Sequence, residues 1–403
     1  MSGHAMLSPS KRSRWALCPG SIREEAKYPD QGGGPAAIDG THSHTLLEQC
    51  FKGDPVEPAA FIGLTLTDHE GDFVVDASRA ERVKIAYDYI MDVSLGGVCK
   101  IVSETRVDPA FLLGRNDLSG TVDIQILAGN TLELIDYKDG MGIVSAEGNM
   151  QLEQYAYGVL AGYKLPVNGV YPFEFVKMTI IQPKLVLKGM KPITSHTVTV
   201  RSLLDNMGTI ITQAAATDKP DAPLVPGESQ CKFCRAKGSC SALASNVMKE
   251  VGIMFQPVVN QTLDVAQQSA DKDPSTMDDA QIAQIMEAAP LMRQLLEGVE
   301  AEALRRMQAG QTLPGLKLVN GRGSRAWALP EAEMAEKLTW EKKGEKVTLS
   351  ERQLKRMEQE YVTKLAGKLT VVPESDSRPA VITNAAPLFS AVETPAEIPS
   401  WLL

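Results

Sequence analysis

Asp123, Asp136 and Lys138 are residues whose types and spacing could do chemistry together. They lie in GTVDIQILAGNTLELIDYKDG, residues 120–140, which reads as two strands joined at Gly129-Asn130. With those two residues at the centre of a hairpin turn, Ala128 faces Thr131, and the pairing carries back until Asp123 faces Asp136. Directly opposed side chains stand about 5 Å apart. Two carboxylates that close repel unless a cation sits between them. Hard oxygen donors of this kind favour Mg2+ or Mn2+. Lys138 falls on the same strand face as Asp136, placed to activate a water or to offset charge building on a phosphate. A three-residue turn would instead put the acids on opposite faces. The plain alternative is a solvent-facing edge of alternating charges, with Ile124, Ile126, Leu132 and Leu134 supplying the core.

The cysteines form a second constellation. There are six, and three of them, Cys231, Cys234 and Cys240, are spaced C-x2-C-x5-C in the polar loop CKFCRAKGSC. Such a loop has no core to fill, so three thiols there predict a metal site that needs a fourth ligand. Cys18, in the turn-like WALCPGS, is the candidate. Four thiolates fit tetrahedral zinc or an iron–sulfur cluster. Cys50 and Cys99 read as small core residues.

These residues need elements to hold them. Helical patterns run over AIDGTHSHTLLEQCF, with Thr41 as N-cap, and over 76–94, 147–163 and SLLDNMGTIITQAAA. On the first of these, His44, Leu47 and Glu48 share a side. Strands are expected at CKIVSETRV, on both arms of the 120–137 hairpin, at FEFVKMTIIQP and at HTVTV. A β-rich middle wrapped by helices predicts an α/β domain over residues 1–250. Residues 251–279 read as a linker. Residues 280–371 read as a mainly helical accessory region. Its first helix is broken or kinked at Pro290, and a β-hairpin turns at Asn320-Gly321. A charged helix is expected at 350–369, and the Pro-rich stretch 372–403 reads as extended.

Composition excludes several classes. At 403 residues and 43% apolar content the chain is neither a disulfide miniprotein nor wholly disordered. It has no long apolar run for a membrane span and no signal-peptide pattern, so the expected address is cytoplasmic. The net charge is −9 (41 basic against 50 acidic residues). That weighs against nucleic acid unless the surface is locally basic or carries metal. Arg14, Lys232, Arg235 and Lys237 flank the cysteines and form such a local patch, with Trp15 and Phe233 beside them. Arg322 and Arg325 flank Trp327 in the same basic-aromatic manner.

Taken in order, G-x-x-D at 120–123, D-x-K at 136–138 and Q-x-x-x-Y at 151–155 resemble the PD-(D/E)xK nuclease superfamily, in its RecB-like branch. The resemblance implies a restriction-endonuclease-like core, a mixed central sheet flanked by helices. It implies metal ligands at His44 (with His42 as the alternative), Asp123 and Asp136, and catalytic roles for Asp123, Asp136, Lys138, Gln151 and Tyr155. Gln151 and Tyr155 would touch substrate or position Lys138. Glu48 would be a supporting residue. Glu104 would either add a carboxylate or pair with Arg106. Cys18, Cys231, Cys234 and Cys240 look like the [4Fe–4S] staple of CRISPR-associated RecB-like exonucleases, with zinc as the alternative. SRWALCPGS, GTHSHTLLE and KLVNGRGSRAW resemble a phage- and prophage-associated branch. The implied function is a metal-dependent DNA exonuclease working in phage recombination or replication inside a bacterial host. The implied partners are DNA and a single-strand annealing or replication protein, with self-association open. Two other readings are a catalytically idle nuclease fold that binds DNA or protein, and a zinc-stapled interaction module.

Overall fold

The computed structural model describes residues 5–28, 32–163, 170–254, 279–323, 325–327, 339–342, 345–348, 361–364 and 367–381. The chain divides into two units, residues 1–236 and 237–403.

The first unit opens with two short helices, α1 (Arg12–Trp15) and α2 (Ser21–Glu25), and then α3 (Pro35–Cys50). A small hairpin follows, β1 (Thr65–Asp68) and β2 (Gly71–Val74), then α4 (Ala77–Val93). Next come β3 (Ile101–Val107), the short α5 (Ala110–Leu113), β4 (Gly120–Ala128) and β5 (Thr131–Tyr137). After them run α6 (Met150–Gly162), β6 (Phe175–Ile181), β7 (Ile193–Thr199), α7 (Val200–Thr217) and the short α8 (Glu228–Lys232).

Strands β3 to β7 form one mixed sheet in sequence order. Neighbours are antiparallel except β5 and β6, which run parallel. A parallel neighbour requires a crossover, and α6 provides it. The buried strands are apolar on both faces, so helices must cover both. On one face, Leu132, Leu134, Val176 and Met178 pack with Leu152 and Leu160 of α6 and Leu203 and Ile210 of α7. On the other, Ile124, Ile126, Ile135 and Tyr137 pack with Leu46, Leu47 and Cys50 of α3 and Val83 and Ile90 of α4. The expected α/β class is therefore observed as a mixed central sheet flanked by helices.

Local chemistry sets the helix starts. Asp76, Asn149 and Thr199 cap α4, α6 and α7 by accepting Arg79, Leu152 and Ser202 backbone N–H groups. α3 differs from expectation. It begins at Pro35, six residues before Thr41, because proline is preset for a first helical turn. Thr41 Oγ1 lies inside the helix and donates to the Ala37 carbonyl.

The second unit contains α9 (Ser241–Met254) and α10 (Asp279–Gln308), with Pro290 inside a continuous helix. The expected linker thus begins in helix, and 255–278 lie outside the described residues. The expected hairpin at Asn320-Gly321 is corrected. Strand β8 (Leu316–Asn320) pairs with β13 (Leu369–Pro373), and β9 (Arg325–Trp327) pairs with β12 (Val362–Lys364). Both pairings keep one register, so they form an interrupted two-stranded ribbon. Gly321 N donates to Lys368 O and lies on that ribbon rather than at a reversal. The local reversal is instead the hairpin of β10 (Thr339–Lys342) and β11 (Glu345–Thr348). Strands at 362–364 and 369–373 replace the end of the expected helix and the start of the expected tail. The rest of that tail, 382–403, lies outside the described residues.

Candidate metal and acid–lysine site

The site grows from the β4–β5 hairpin. Gly129, at φ +60, takes the left-handed position of a two-residue turn, and Ala128 pairs with Thr131 as expected. The ladder runs back to Ile124 with Ile135 and ends there. In a regular strand Val122 and Ile124 would share a face. Here Val122 joins the α6 core and Ile124 the α3–α4 core, so the strand twists between them at Asp123. Asp123 Oδ2 then accepts the Tyr137 backbone N–H at 2.8 Å.

Across the sheet, β3 pairs with β4 on either side of Glu104 and Asp123 but not through them. Glu104 has φ +43, a region that costs a side-chain-bearing residue about 1 kcal/mol or more. Both acids therefore sit where their strands leave regular geometry.

His44, Glu104 and Asp123 converge. One ligand atom from each lies within 4.8 Å of the other two. His44 Nδ1 is 3.4 Å from Asp123 Oδ2, and its ring stands edge-on to Tyr137. Burial, Asp123 and Glu48 together push the Glu104 carboxyl up to about 8. His42 is not part of this set. It stacks on Phe73 and its Nδ1 lies 2.7 Å from Asp68, so it fastens α3 to the β1–β2 hairpin. Arg106 donates to Ser119 Oγ at 2.7 Å.

Asp136 belongs to a second, adjoining cluster and is absent from the converging set. It is buried, with Lys138 Nζ 2.8 Å from Oδ2 and 3.1 Å from Oδ1. Gln151 Nε2 donates to Oδ1 at 2.9 Å and to the Tyr155 hydroxyl at 3.0 Å, while Gln151 Oε1 accepts from Lys138 at 3.0 Å. Asp136 Oδ2 accepts no hydrogen bond of acceptable geometry. Burial pushes the Asp136 carboxyl up, against the pull of Lys138. Burial opposes the Lys138 ammonium, but Asp136 and Asp123 outweigh it and hold it above the usual range. Burial likewise pushes the Tyr155 hydroxyl up. Tyr155 also has a packing role. A Cβ on Gly120 would lie 2.5 Å from Pro9 and 2.9 Å from the Tyr155 ring, so that glycine is required by close approach.

Of the expected ligands, then, the fold groups His44 with Asp123 and directs Asp136 to Lys138 and Gln151. Glu104, weighed above as an extra carboxylate, completes the set. Its signal in sequence was a lone acid in an otherwise apolar-polar strand.

The cysteines are distributed over the two units. Cys18, Cys231 and Cys234 lie in the first and Cys240 in the second. Each sulfur receives a backbone N–H: Val225 at Cys18, Gly227 at Cys231, Ala236 at Cys234 and Leu243 at Cys240. Among the expected DNA contacts, Arg14 is turned inward on Glu25, and Arg235 N donates to the same carboxylate. Lys237 pairs with Glu297 at 2.9 Å. Lys232 lies over the Phe233 ring, and Phe233 is 71% exposed. Arg322 is exposed, and the side chain of Arg325 is outside the description. Trp15 is fully buried and donates to Ser8 O, which removes it as a stacking platform.

The molecule so defined is a mixed α/β protein with a His/Glu/Asp triad able to hold a metal, beside a buried acid–lysine–glutamine cluster. The chain belongs to the family described as Protein of unknown function (DUF2800), whose model matches residues 4–379. Among solved structures it is similar to one titled "Crystal structure of SSO0001", at 14% identity and a TM-score of 0.32, covering 60% of this chain and 89% of that one. Among the described residues, no helix is long and apolar enough to cross a membrane.

Proposed function

We propose that this protein is a metal-dependent DNA nuclease of the PD-(D/E)xK, RecB-like kind, acting as an exonuclease. The observation that carries this reading is the adjacency of the His44–Glu104–Asp123 triad to the Asp136–Lys138–Gln151 cluster. The residues fit a hard divalent cation. Two carboxylates and an imidazole converge within 4.8 Å, and Asp136, buried and ion-paired with Lys138, lies near enough to Asp123 and His44 to feel their charge. His44, Glu104 and Asp123 would hold Mg2+ or Mn2+, with Asp136 alongside. When bound, such an ion supplies Lewis-acid polarisation of a phosphodiester oxygen. The chain's own residues do the rest. Gln151 fixes Asp136 and Lys138 relative to each other through both ends of its carboxamide. Lys138, so held, orients a water or offsets charge developing on the phosphate.

Cys18, Cys231, Cys234 and Cys240 are assigned to a [4Fe–4S] cluster, with zinc as the alternative occupant. Backbone N–H groups directed at the Cys18, Cys231 and Cys240 sulfurs favour thiolate ligands there, whereas burial pushes the metal-free Cys234 thiol up to about 12, so a bound metal would have to displace its proton. The context proposed is phage DNA recombination or replication in a bacterial cytoplasm, beside a single-strand annealing or replication protein.

The test is Mn2+-stimulated release of nucleotides from end-labelled DNA by cluster-loaded protein. Lys138→Ala and Asp136→Ala should each lower the rate by about a hundredfold or more. Absence of release by the wild-type protein with full metal loading would overturn the enzyme reading.

A further inference from the structure

Ser43 and His44 are neighbours on α3, and Lys138 and Asp139 are neighbours at the end of β5. A single hydrogen bond joins these two pairs. Ser43 Oγ, itself buried, lies 2.9 Å from Asp139 Oδ2 and 3.0 Å from the Asp39 carbonyl one turn earlier. The Asp139 side chain is fully buried. Arg82 reaches it through Nε at 3.1 Å and Nη2 at 3.2 Å, Lys184 Nζ stands 3.2 Å away, and the Tyr137 hydroxyl 3.4 Å away. Arg82 and Lys184 also hold Asp39, which Arg79 contacts at 2.8 Å.

We propose that Asp139 is a positioning residue that, through Ser43, sets the helix turn carrying His44 against the strand end carrying Lys138. This rests on the metal reading of the site and extends it. The physical reason is tolerance. A ligand set works only when its members are held to within about half an ångström, and α3 and β5 are separate elements that the chain connects through some eighty residues. Packing of Leu46 and Leu47 fixes the depth of α3, but apolar contacts are non-directional. A charged acceptor that two cations hold in place gives the Ser43 hydroxyl, which also meets the Asp39 carbonyl and the Tyr137 hydroxyl, a fixed partner across at the strand end. His44, the next residue, inherits that orientation. The partners of the Asp139 carboxylate are Ser43, Arg82, Lys184 and Tyr137 rather than the triad atoms or the Lys138 ammonium, so its action is indirect.

Ser43→Ala cuts the tie and leaves the buried ion pairs intact, which avoids the unfolding that loss of Asp139 risks. Full-length Ser43→Ala should bind Mn2+ about tenfold more weakly than wild type with an unchanged melting temperature. In a His44→Ala background, where Glu104 and Asp123 remain as weak ligands, the same change should cost less than about twofold, because the effect runs through the histidine. In metal-free protein, the His44 ring-proton resonance, assigned by its loss in His44→Ala, should move in both Ser43→Ala and Asp139→Asn. An unmoved resonance in both variants, or an equal loss of Mn2+ affinity in both backgrounds, overturns the proposal. A resonance that moves in a protein whose wild type binds no Mn2+ upholds the tie and overturns the metal reading instead.

Discussion

Glu104 combines a costly backbone with a crowded charge. Its φ of +43 is a conformation that side chains other than glycine rarely adopt, and its carboxylate faces Asp123 and Glu48. Strain of this kind persists where the surroundings over-determine it, and functional sites are where it collects. In the metal-free protein, burial and this crowding push the carboxyl up to about 8, so that it holds its proton at neutral pH, and a bound cation would relieve the repulsion by displacing that proton. Glu104→Gln keeps the shape and removes the carboxylate that a bound cation would draw out. It should weaken Mn2+ binding by more than about tenfold while leaving the melting temperature of the metal-free protein equal or higher. Calorimetric titration with Mn2+, together with a thermal melt, reads both. Unchanged Mn2+ affinity would remove Glu104 from the ligand set.

At the scale of elements, α3 is held at two places by acids that need their charge. Near its start, Asp39 takes Arg79, Arg82 and Lys184. One turn later, His42 and Thr45 meet Asp68 of the β1–β2 hairpin, at 2.7 and 3.2 Å. Burial works against both carboxylates, but the cations around Asp39, and His42 with the Glu70 N–H at Asp68, outweigh it and hold both below the usual range. A carboxyl whose pKa is depressed by folding binds fewer protons in the native state than in the unfolded one. Its contribution is complete above the unfolded value of about 3.9 and is lost as pH falls below it. Melting temperatures should therefore drop as pH is lowered from about 5 to about 3. The drop should be smaller in Asp39→Asn, which starts from a lower stability at neutral pH. An identical pH slope in wild type and variant would show that Asp39 does not carry the dependence.

At the scale of the whole molecule, the N-terminal segment returns to the chain some two hundred residues later. Gly20 N donates to Pro223 O, Arg23 reaches the Ala222 carbonyl, and Glu25 takes both Arg14 and the Arg235 N–H. Closing so long a loop costs more entropy than closing a short one, though only logarithmically. These contacts hold Cys18 near the 223–235 stretch without any metal. Cys18→Ser should consequently abolish iron uptake while the first unit stays folded. Glu25→Ala, which leaves the half-buried Arg14 and the Arg235 N–H without their acceptor, should destabilise that unit by about 1–3 kcal/mol. Iron content after anaerobic purification and a denaturant melt of each variant separate the two effects. A Cys18→Ser protein with full iron would exclude that residue as a ligand.

The residues of the candidate site were legible in the sequence because type and short spacing are local properties. The two-residue turn at Gly129-Asn130 follows from Gly at a left-handed position, and it alone gave the β4–β5 register. The i, i+4 step placed Gln151 and Tyr155 on one helix face, where they are hydrogen-bonded. Asp136 and Lys138 were correctly put side by side. Three things depended on the tertiary structure. The twist at Asp123 is imposed by two cores competing for adjacent side chains, and it sent Asp123 to His44 and Glu104 and left Asp136 with Lys138. The ribbon of β8–β9 with β12–β13 is a long-range pairing, and no local turn signal can announce a partner some forty residues away. Arg14, Trp15 and Lys237 looked available because sequence records charge and aromaticity but not direction. Glu25, the core and Glu297 claim them, because a half-buried cation gains from an acidic partner within reach and a large apolar ring is stabilised away from water.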